Sequence, residues 1–123
     1  MKTLLERRIA ARQRIVEAGG KQVTLRRPTE YEKAKYYRLP PVEYLCQFVD
    51  DCPLTEADLF DGGNAETPVP FDRALFADWL AENPELWKPL VDALSELNAQ
   101  HEAARAEALK NSNPGLSAPA CQD

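Results

Sequence analysis

The side chains best suited to chemistry are a run of carboxylates in the middle of the chain: Asp50, Asp51, Glu56, Asp58 and Asp61. Paired carboxylates can act as a general acid and base, or can hold a metal ion. Either use needs a further ligand or proton-transfer group, and no histidine lies near these residues in the sequence. The pattern therefore predicts a solvated acidic surface rather than a catalytic or metal site.

The other reactive side chains do not form a recognisable catalytic pattern. The only histidine, His101, lies near Glu102 and Arg105 in a predicted helix, so a catalytic histidine is not expected. The sequence contains three cysteines: Cys46, Cys52 and Cys121. They show neither C-x-x-C nor Cys/His ligand spacing, and the chain has no phosphate-cradling glycine loop or nucleophile elbow. We therefore expect a protein that is not an enzyme and that uses no metal or cofactor.

Composition limits the cellular context. Hydrophobic residues make up 44% of the sequence, and no apolar run approaches the roughly 20 residues of a membrane span. Residues 1–20 are too polar and too rich in arginine for a secretory signal. We expect a protein of the reducing cytoplasm, without a membrane partner.

Charge is divided unevenly along the chain. Residues 1–38 carry 11 Lys/Arg against 4 Asp/Glu, a balance of +7, whereas residues 39–123 carry 4 against 16, a balance of −12; the sum is the net charge of −5. This division is consistent with a nucleic-acid-binding arm, or with oppositely charged surfaces that meet between subunits. It is equally consistent with two ends that neutralise each other within one fold.

The N-terminal residues predict a helix that carries arginines in its apolar face. Thr3 and Glu6 have the spacing of a capping box, and Gly19-Gly20 would end the helix. Arg8 and Arg12 project between two apolar groups of the helical wheel. The helix could lie on an acidic partner, or it could be a surface helix whose arginine stems cover apolar area.

A short strand is predicted next. Residues Lys21–Arg27 alternate, with Val23 and Leu25 on one side, and Pro28 ends the pattern. Because a single strand cannot satisfy its own backbone, it needs a partner. The partner could be the N-terminal stretch, the loop near Thr67–Val69, or an edge of another chain.

The rest of the chain is predicted to be helical, with one linker. Helices are expected after a second capping box at Thr29/Glu32 and from Pro41 to a stop at Pro53, and Thr55 is expected to cap a short turn at Glu56–Phe60. Residues 61–70 are expected to be a linker, and Asp72 is expected to cap the next helix. Asn83-Pro84 restarts the chain as a helix, which either kinks at Pro89 or begins there after a single preceding turn.

The predicted fold is a mainly α, small single-domain helical protein with at most one or two short β-strands and a long C-terminal helix. The domain covers residues 1–111, basic over 1–38 and acidic over 39–111, followed by a flexible tail at 112–123. Its anchor is the stretch Phe71–Leu97, in which Trp79, Trp87 and Leu90 should be the most costly truncations. Residues Gln100–Asn111 are poor in large apolar side chains and are therefore a candidate contact surface.

Three segments resemble the tail assembly chaperones of long-tailed bacteriophages: VTLRRPTEYE (Val23–Glu32), PFDRALFADWLAENPELWKPLVDAL (Pro70–Leu94) and the run that ends in LKNS (Leu109–Ser112). The resemblance implies a small, mainly helical, non-enzymatic protein that coats the tape measure protein in the host cytoplasm and is absent from the finished virion. It also implies recruitment of tail tube protein and the possibility of a longer, frameshifted form. A charge-divided subunit agrees with head-to-tail self-association.

These considerations nominate a set of partner-binding residues: Arg8, Arg12, Arg26, Arg27, His101 and Arg105. The alternative function is a small nucleic-acid-binding regulator that uses its basic N-terminal helix. Its arginines and lysine would contact phosphates, and its tyrosines would stack on bases: Arg7, Arg8, Arg12, Arg14, Lys21, Arg26, Arg27, Tyr31, Tyr36 and Tyr37. A pI of about 4.9 argues against it, because nucleic-acid-binding domains are usually basic.

Overall fold

The computed structural model describes residues 2–112. Over this range the helices are α1 (Leu4–Ala11), α2 (Glu30–Tyr36), α3 (Pro41–Phe48), α4 (Glu56–Leu59), α5 (Arg73–Ala81) and α6 (Trp87–Ser112). The strands are β1 (Gln13–Ala18), β2 (Lys21–Arg26), β3 (Val49–Asp51), β4 (Leu54–Thr55) and β5 (Pro68–Val69). A 3₁₀ turn, Pro84–Leu86, precedes α6.

The mainly α prediction is wrong, because the described residues form a mixed α/β fold that is 58% helix and 17% strand. The strands lie in two antiparallel sheets, one with the order β1-β2-β3 and one that pairs β4 with β5. Five strands therefore stand where at most two were expected. The two additional pairings involve short segments, β3 to β5, that have only two or three residues each.

The largest departure is at the N-terminus, where the first helix ends at Ala11 instead of reaching Gly19-Gly20. The two glycines have φ values of 59° and 77° and connect β1 to β2. Positive φ at both central residues is what a type I′ two-residue hairpin turn requires, so the pair is a hairpin turn and not a helix stop. Six residue pairs, from Gln13↔Arg26 to Ala18↔Lys21, then join the strands.

The predicted strand at Lys21–Arg27 is confirmed as β2, and its main partner is the N-terminal stretch. Val23 and Leu25 are buried on one face of β2, as their alternation indicated. Its other edge pairs with β3, because α3 ends at Phe48 and Val49 is extended. The expectation that α3 continues to a stop at Pro53 is therefore wrong.

Several local signals are confirmed. Thr3/Glu6 and Thr29/Glu32 both form reciprocal capping boxes at helix starts. Pro41 begins α3, and the Asp72 side chain accepts a hydrogen bond from the Leu75 N–H at 2.9 Å. Pro89 lies in the first turn of α6, after the 3₁₀ turn, which matches the second of the two arrangements considered.

The expected linker at residues 61–70 contains regular structure at its end. Leu54 pairs with Val69 and Thr55 with Pro68, so β5 ties this segment to β4. The tail expected from residue 112 lies outside the described residues, except for Ser112, the last residue of α6.

The core lies between the three-stranded sheet and helices α3, α5 and α6. Its most buried side chains include Leu25, Leu45, Phe48, Val49, Phe76, Leu80, Leu90 and Leu94. Trp79 and Trp87 are half-buried, and the Trp87 Nε1 donates to the Leu80 carbonyl at 2.7 Å. From residue 98 to residue 111, α6 is exposed apart from Asn98 and His101, which agrees with the small number of large apolar side chains in that part of the helix.

Candidate functional site: an arginine cleft

A cleft between the N-terminal elements and α6 gathers the basic side chains. We call it the arginine cleft, and it is formed by Arg8, Arg12, Arg14, Arg27, His101 and Arg105. Arg8 and Arg12 are one helical turn apart at the end of α1, as are His101 and Arg105 on α6, so each pair projects from one face. The cleft therefore lies between the open end of the β1–β2 hairpin and the exposed half of α6.

Backbone pairing fixes the two sides of the cleft that come from the hairpin. The Arg27 N–H donates to the Arg12 carbonyl at 2.9 Å, one position beyond the last β1–β2 pair. This bond keeps the arginine that follows β2 beside the arginine that ends α1. On the other side, Lys33 of α2 contacts Glu102 of α6 at 3.0 Å and holds the two helices together.

The cleft has an apolar floor and charged walls. Its central cavity measures about 240 Å³ and is lined by Ala11, Leu97 and Ala104, together with arginines and His101. A second recess of about 320 Å³ lies beside it, bounded by Arg8, Arg105 and Glu30. The shape can admit side chains of a bound segment, with carboxylates directed at the walls.

The positive charge of the cleft is not neutralised within residues 2–112. None of the ion pairs over this range involves Arg8, Arg12, Arg14, Arg27 or Arg105. Burial lowers the pKa of Arg27, and the like charges of Arg12 and Arg14 lower it further, against the opposing effect of Glu30. Guanidinium groups held together with only one carboxylate nearby repel one another, and a bound anion would relieve that repulsion.

One atom of the cleft lacks a partner. The Arg12 Nε is shielded from solvent and makes no hydrogen bond to the described residues, while its Nη1 makes only a long 3.5 Å bond to the Arg8 carbonyl. A buried donor without an acceptor costs free energy. Arg12 is therefore the position at which a bound acceptor would contribute most.

Glu30 is the one carboxylate that lines the cleft in the described part of the chain. A hydrogen bond from Lys33 lowers the pKa of Glu30, and the charges of Arg105 and His101 lower it further. Glu30 is thus ionised, but its carboxylate already forms an ion pair with Lys33 at 3.1 Å. It leaves most of the cleft charge unopposed.

The structure brings five of the six nominated residues together: Arg8, Arg12, Arg27, His101 and Arg105. Arg26 is not among them, because successive strand residues point to opposite faces. It contacts Asp50 at 2.9 Å and the Gln47 carbonyl at 2.7 Å, with Glu32 at 3.6 Å. Arg26 therefore belongs to an internal network and is not available to a partner.

Arg14 also lines the cleft, although we expected it only as a phosphate contact of a nucleic-acid-binding protein. In a continuous first helix, Arg14 would not share the face of Arg8 and Arg12, which are four residues apart. The change from helix to strand at Arg12 and Gln13 turns Arg14 toward the cleft. Residues 13–18 (QRIVEA) show no alternation of polar and apolar side chains, so no local sequence signal pointed to this position.

Two of the carboxylates and two of the thiols first considered for chemistry have structural roles. Asp50 accepts from Arg26 and from the Gln13 amide at 2.8 Å, and Asp58 binds Lys21 at 2.8 Å. Cys46 and Cys52 are buried, and burial raises the pKa of the Cys52 thiol to about 11. Across residues 2–112 no group of three or more His, Cys, Asp or Glu side chains could hold a metal ion. No helix in that range is both long and apolar enough to cross a membrane.

A scan against protein-family models, a search of curated proteins and a search of solved structures each found no match to this chain. The resemblance to tail assembly chaperones therefore depends on the three sequence segments given above. One of them, Val23–Glu32, supplies Arg27, Thr29 and Glu30 to the arginine cleft and its recess. The other two form α5 with the start of α6, and the last turn of α6.

Proposed function

We propose that the protein is a non-enzymatic assembly factor that binds an acidic segment of another protein in its arginine cleft. By its resemblance, its role is that of a phage tail assembly chaperone, which self-associates and coats the tape measure protein in the host cytoplasm. Tail tube protein is a further partner of that role. No cofactor takes part.

The observation that supports this proposal is the unneutralised charge of the arginine cleft. The chain has a net charge of −5, yet five arginines meet in one place without an ion pair to residues 2–112. Guanidinium groups bind carboxylates through paired hydrogen bonds, and such charge-assisted bonds are about twice as strong as neutral ones. An acidic protein segment supplies several carboxylates at side-chain spacing, together with apolar groups for the floor.

The same arginines could bind phosphates, so nucleic acid is the competing ligand. The tyrosines needed for base stacking do not line the cleft: Tyr36 packs against Phe48, and Tyr31 and Tyr37 lie beside Lys35 and Arg38. A nucleic-acid groove normally combines positive charge with such aromatic platforms. The acidic remainder of the chain would also repel a long polyanion. Both features favour a protein ligand.

The proposal predicts that a gene for a long helical tape measure protein lies beside this one, and it is tested by sequencing the neighbouring reading frames and co-expressing the two proteins. We expect the two proteins to co-purify, and we expect Arg12→Glu/Arg27→Glu to abolish co-purification. Lys35→Glu/Arg38→Glu is the matched control, because it makes the same change in charge at two exposed positions outside the cleft. Co-purification that is equal for the cleft variant and the control, or absent for the wild type, would contradict the proposed function.

A further inference from the structure

A second charged feature, of opposite sign, lies elsewhere on the surface. We call residues 56–66 the acidic loop; it comprises α4 and the turn that follows. Its exposed carboxylates, Glu56, Asp61 and Glu66, form no ion pair within the described range. Between them the Phe60 side chain is 67% exposed. The loop thus offers one large apolar side chain surrounded by unpaired negative charge.

The acidic loop is held in one shape by its own backbone. The Phe60 N–H donates to the Glu56 carbonyl at 2.9 Å, and the Gly63 N–H donates to the Phe60 carbonyl at 3.0 Å. A Cβ atom at Gly63 would lie 2.3 Å from the Glu56 carbonyl oxygen, so the turn closes only around glycine. Because the loop is already ordered, docking would cost little conformational entropy.

The loop and the cleft lie at opposite ends of the β1–β2 hairpin. Asp58 of the loop contacts Lys21, which follows the hairpin turn, whereas Arg12 and Arg27 flank the open end. Six paired residues separate the two ends, which is about 17–20 Å of strand. This separation places the loop away from the cleft of its own chain.

We propose that the acidic loop of one copy of this chain docks in the arginine cleft of a second copy. Phe60 would lie on the floor formed by Leu97 and Ala104, and its neighbouring carboxylates would pair with the cleft arginines. Two different surfaces at opposite ends of a subunit make a heterologous contact, which repeats into an open chain of subunits. This inference depends on the proposed function, since it names one acidic partner of the same cleft.

The test is sedimentation velocity at low ionic strength, up to about 200 μM protein, where weak association is detectable. We expect wild-type protein to associate with increasing concentration and to dissociate in about 0.5 M salt, because exposed charge contacts are screened. Arg12→Glu/Arg27→Glu and Asp61→Lys/Glu66→Lys should each weaken association by about tenfold or more. Phe60→Ala should also weaken it, and Lys35→Glu/Arg38→Glu should not.

Exchanging the charges of the cleft and the acidic loop distinguishes a specific contact between them from a general loss of electrostatic attraction. The four-substitution chain Arg12→Glu/Arg27→Glu/Asp61→Lys/Glu66→Lys carries reversed charges on both surfaces and should regain association. An equal mixture of the cleft variant and the loop variant should associate as well, because each surface then meets a complementary one.

The outcomes distinguish this inference from the proposed function. A wild-type chain that stays monomeric, or association that the charge exchange fails to restore, overturns docking between copies. If such a chain still binds the tape measure protein through the cleft, the proposed function stands without this inference. If docking between copies is restored by the charge exchange while tape measure binding ignores the cleft, the inference stands and that partner is wrong.

Discussion

Two adjacent arginines allow a contribution to folding stability and a contribution to binding to be measured separately. Arg26 and Arg27 follow one another at the end of β2, but Arg26 enters the internal network and Arg27 enters the cleft. We predict that Arg26→Met lowers the free energy of unfolding substantially, whereas Arg27→Met leaves it nearly unchanged. Methionine retains much of the aliphatic stem in both cases, so the comparison isolates the guanidinium group.

The magnitude follows from the contacts of Arg26. Its side chain is 19% exposed and makes short bonds to Asp50 at 2.9 Å and to the Gln47 carbonyl at 2.7 Å. Hydrogen bonds that involve a charged group contribute about 1.5–3 kcal/mol each. Asp50 retains the Gln13 amide at 2.8 Å and Arg73 at 3.6 Å after the change, which offsets part of the loss. We therefore expect a loss of about 2–3 kcal/mol, or about 6–12 °C in Tm for a chain of this size.

Arg27→Met removes a charge that is opposed by Arg12 and Arg14 and is paired with no described carboxylate. We expect its free energy of unfolding to stay within about 0.5 kcal/mol of wild type, or to rise slightly as the repulsion is relieved. Urea unfolding followed by the fluorescence of Trp79 and Trp87 measures both variants, with the m-value as the control for a change in the unfolded state.

A double-mutant cycle with Asp50→Asn completes the test. We expect Arg26→Met and Asp50→Asn to show a coupling energy, because they remove two sides of one contact, and we expect none between Arg27→Met and Asp50→Asn. Equal destabilisation by the two arginine variants, or a stable Arg26→Met chain, would refute the division of roles between these residues.

Further predictions concern the core, the acidic loop and acid stability. Leu90 is 1% exposed, so Leu90→Ala should lower the free energy of unfolding by about 3–4 kcal/mol in urea titrations; a loss under about 1 kcal/mol would argue against its place in the core. Gly63→Ala should cost about 1–3 kcal/mol because its new methyl group meets the Glu56 carbonyl, and it should also weaken self-association in sedimentation experiments; unaltered stability would show that the turn can relax. Burial raises the pKa of Asp58, but hydrogen bonds from Lys21 and a neighbouring threonine outweigh that effect and lower the pKa beneath its usual value. The resulting stability is present above the unfolded-state pKa and is lost as the pH falls through the folded-state value, so the difference between wild type and Asp58→Asn should shrink between pH 6 and about pH 3; a constant difference would contradict this assignment.

Local signals in the sequence predicted helix starts well, because they depend on residues three or four positions apart. Thr3/Glu6 and Thr29/Glu32 form the expected capping boxes, and Pro41 begins a helix. The strand at β2 was also predictable, since Val23 and Leu25 alternate with polar residues. Each of these features is decided within about one turn of chain.

Strand pairing between residues distant in the chain determines the features that local sequence signals could not predict. Residues 13–18 lack the alternation that is typical of a strand, but six residue pairs with β2 make them one. Val49 could extend α3, but pairing with Leu25 draws it into the sheet. The position of Arg26 followed from the same sheet, because the face on which a strand residue lies depends on register. Thus the basic residues of the site were predictable as a group, and their division between network and cleft was not.

Measuring which class of ligand the arginine cleft prefers tests the proposed function most directly. Fluorescence anisotropy can compare a labelled glutamate-rich peptide with a labelled duplex DNA of equal net charge, at low salt. We expect wild-type protein to bind the peptide more tightly than the DNA. We also expect Arg12→Glu/Arg27→Glu to weaken peptide binding by about tenfold or more, and Lys35→Glu/Arg38→Glu to leave it unchanged. Tighter binding of the DNA, or peptide binding that the cleft variant retains, would contradict the proposed function.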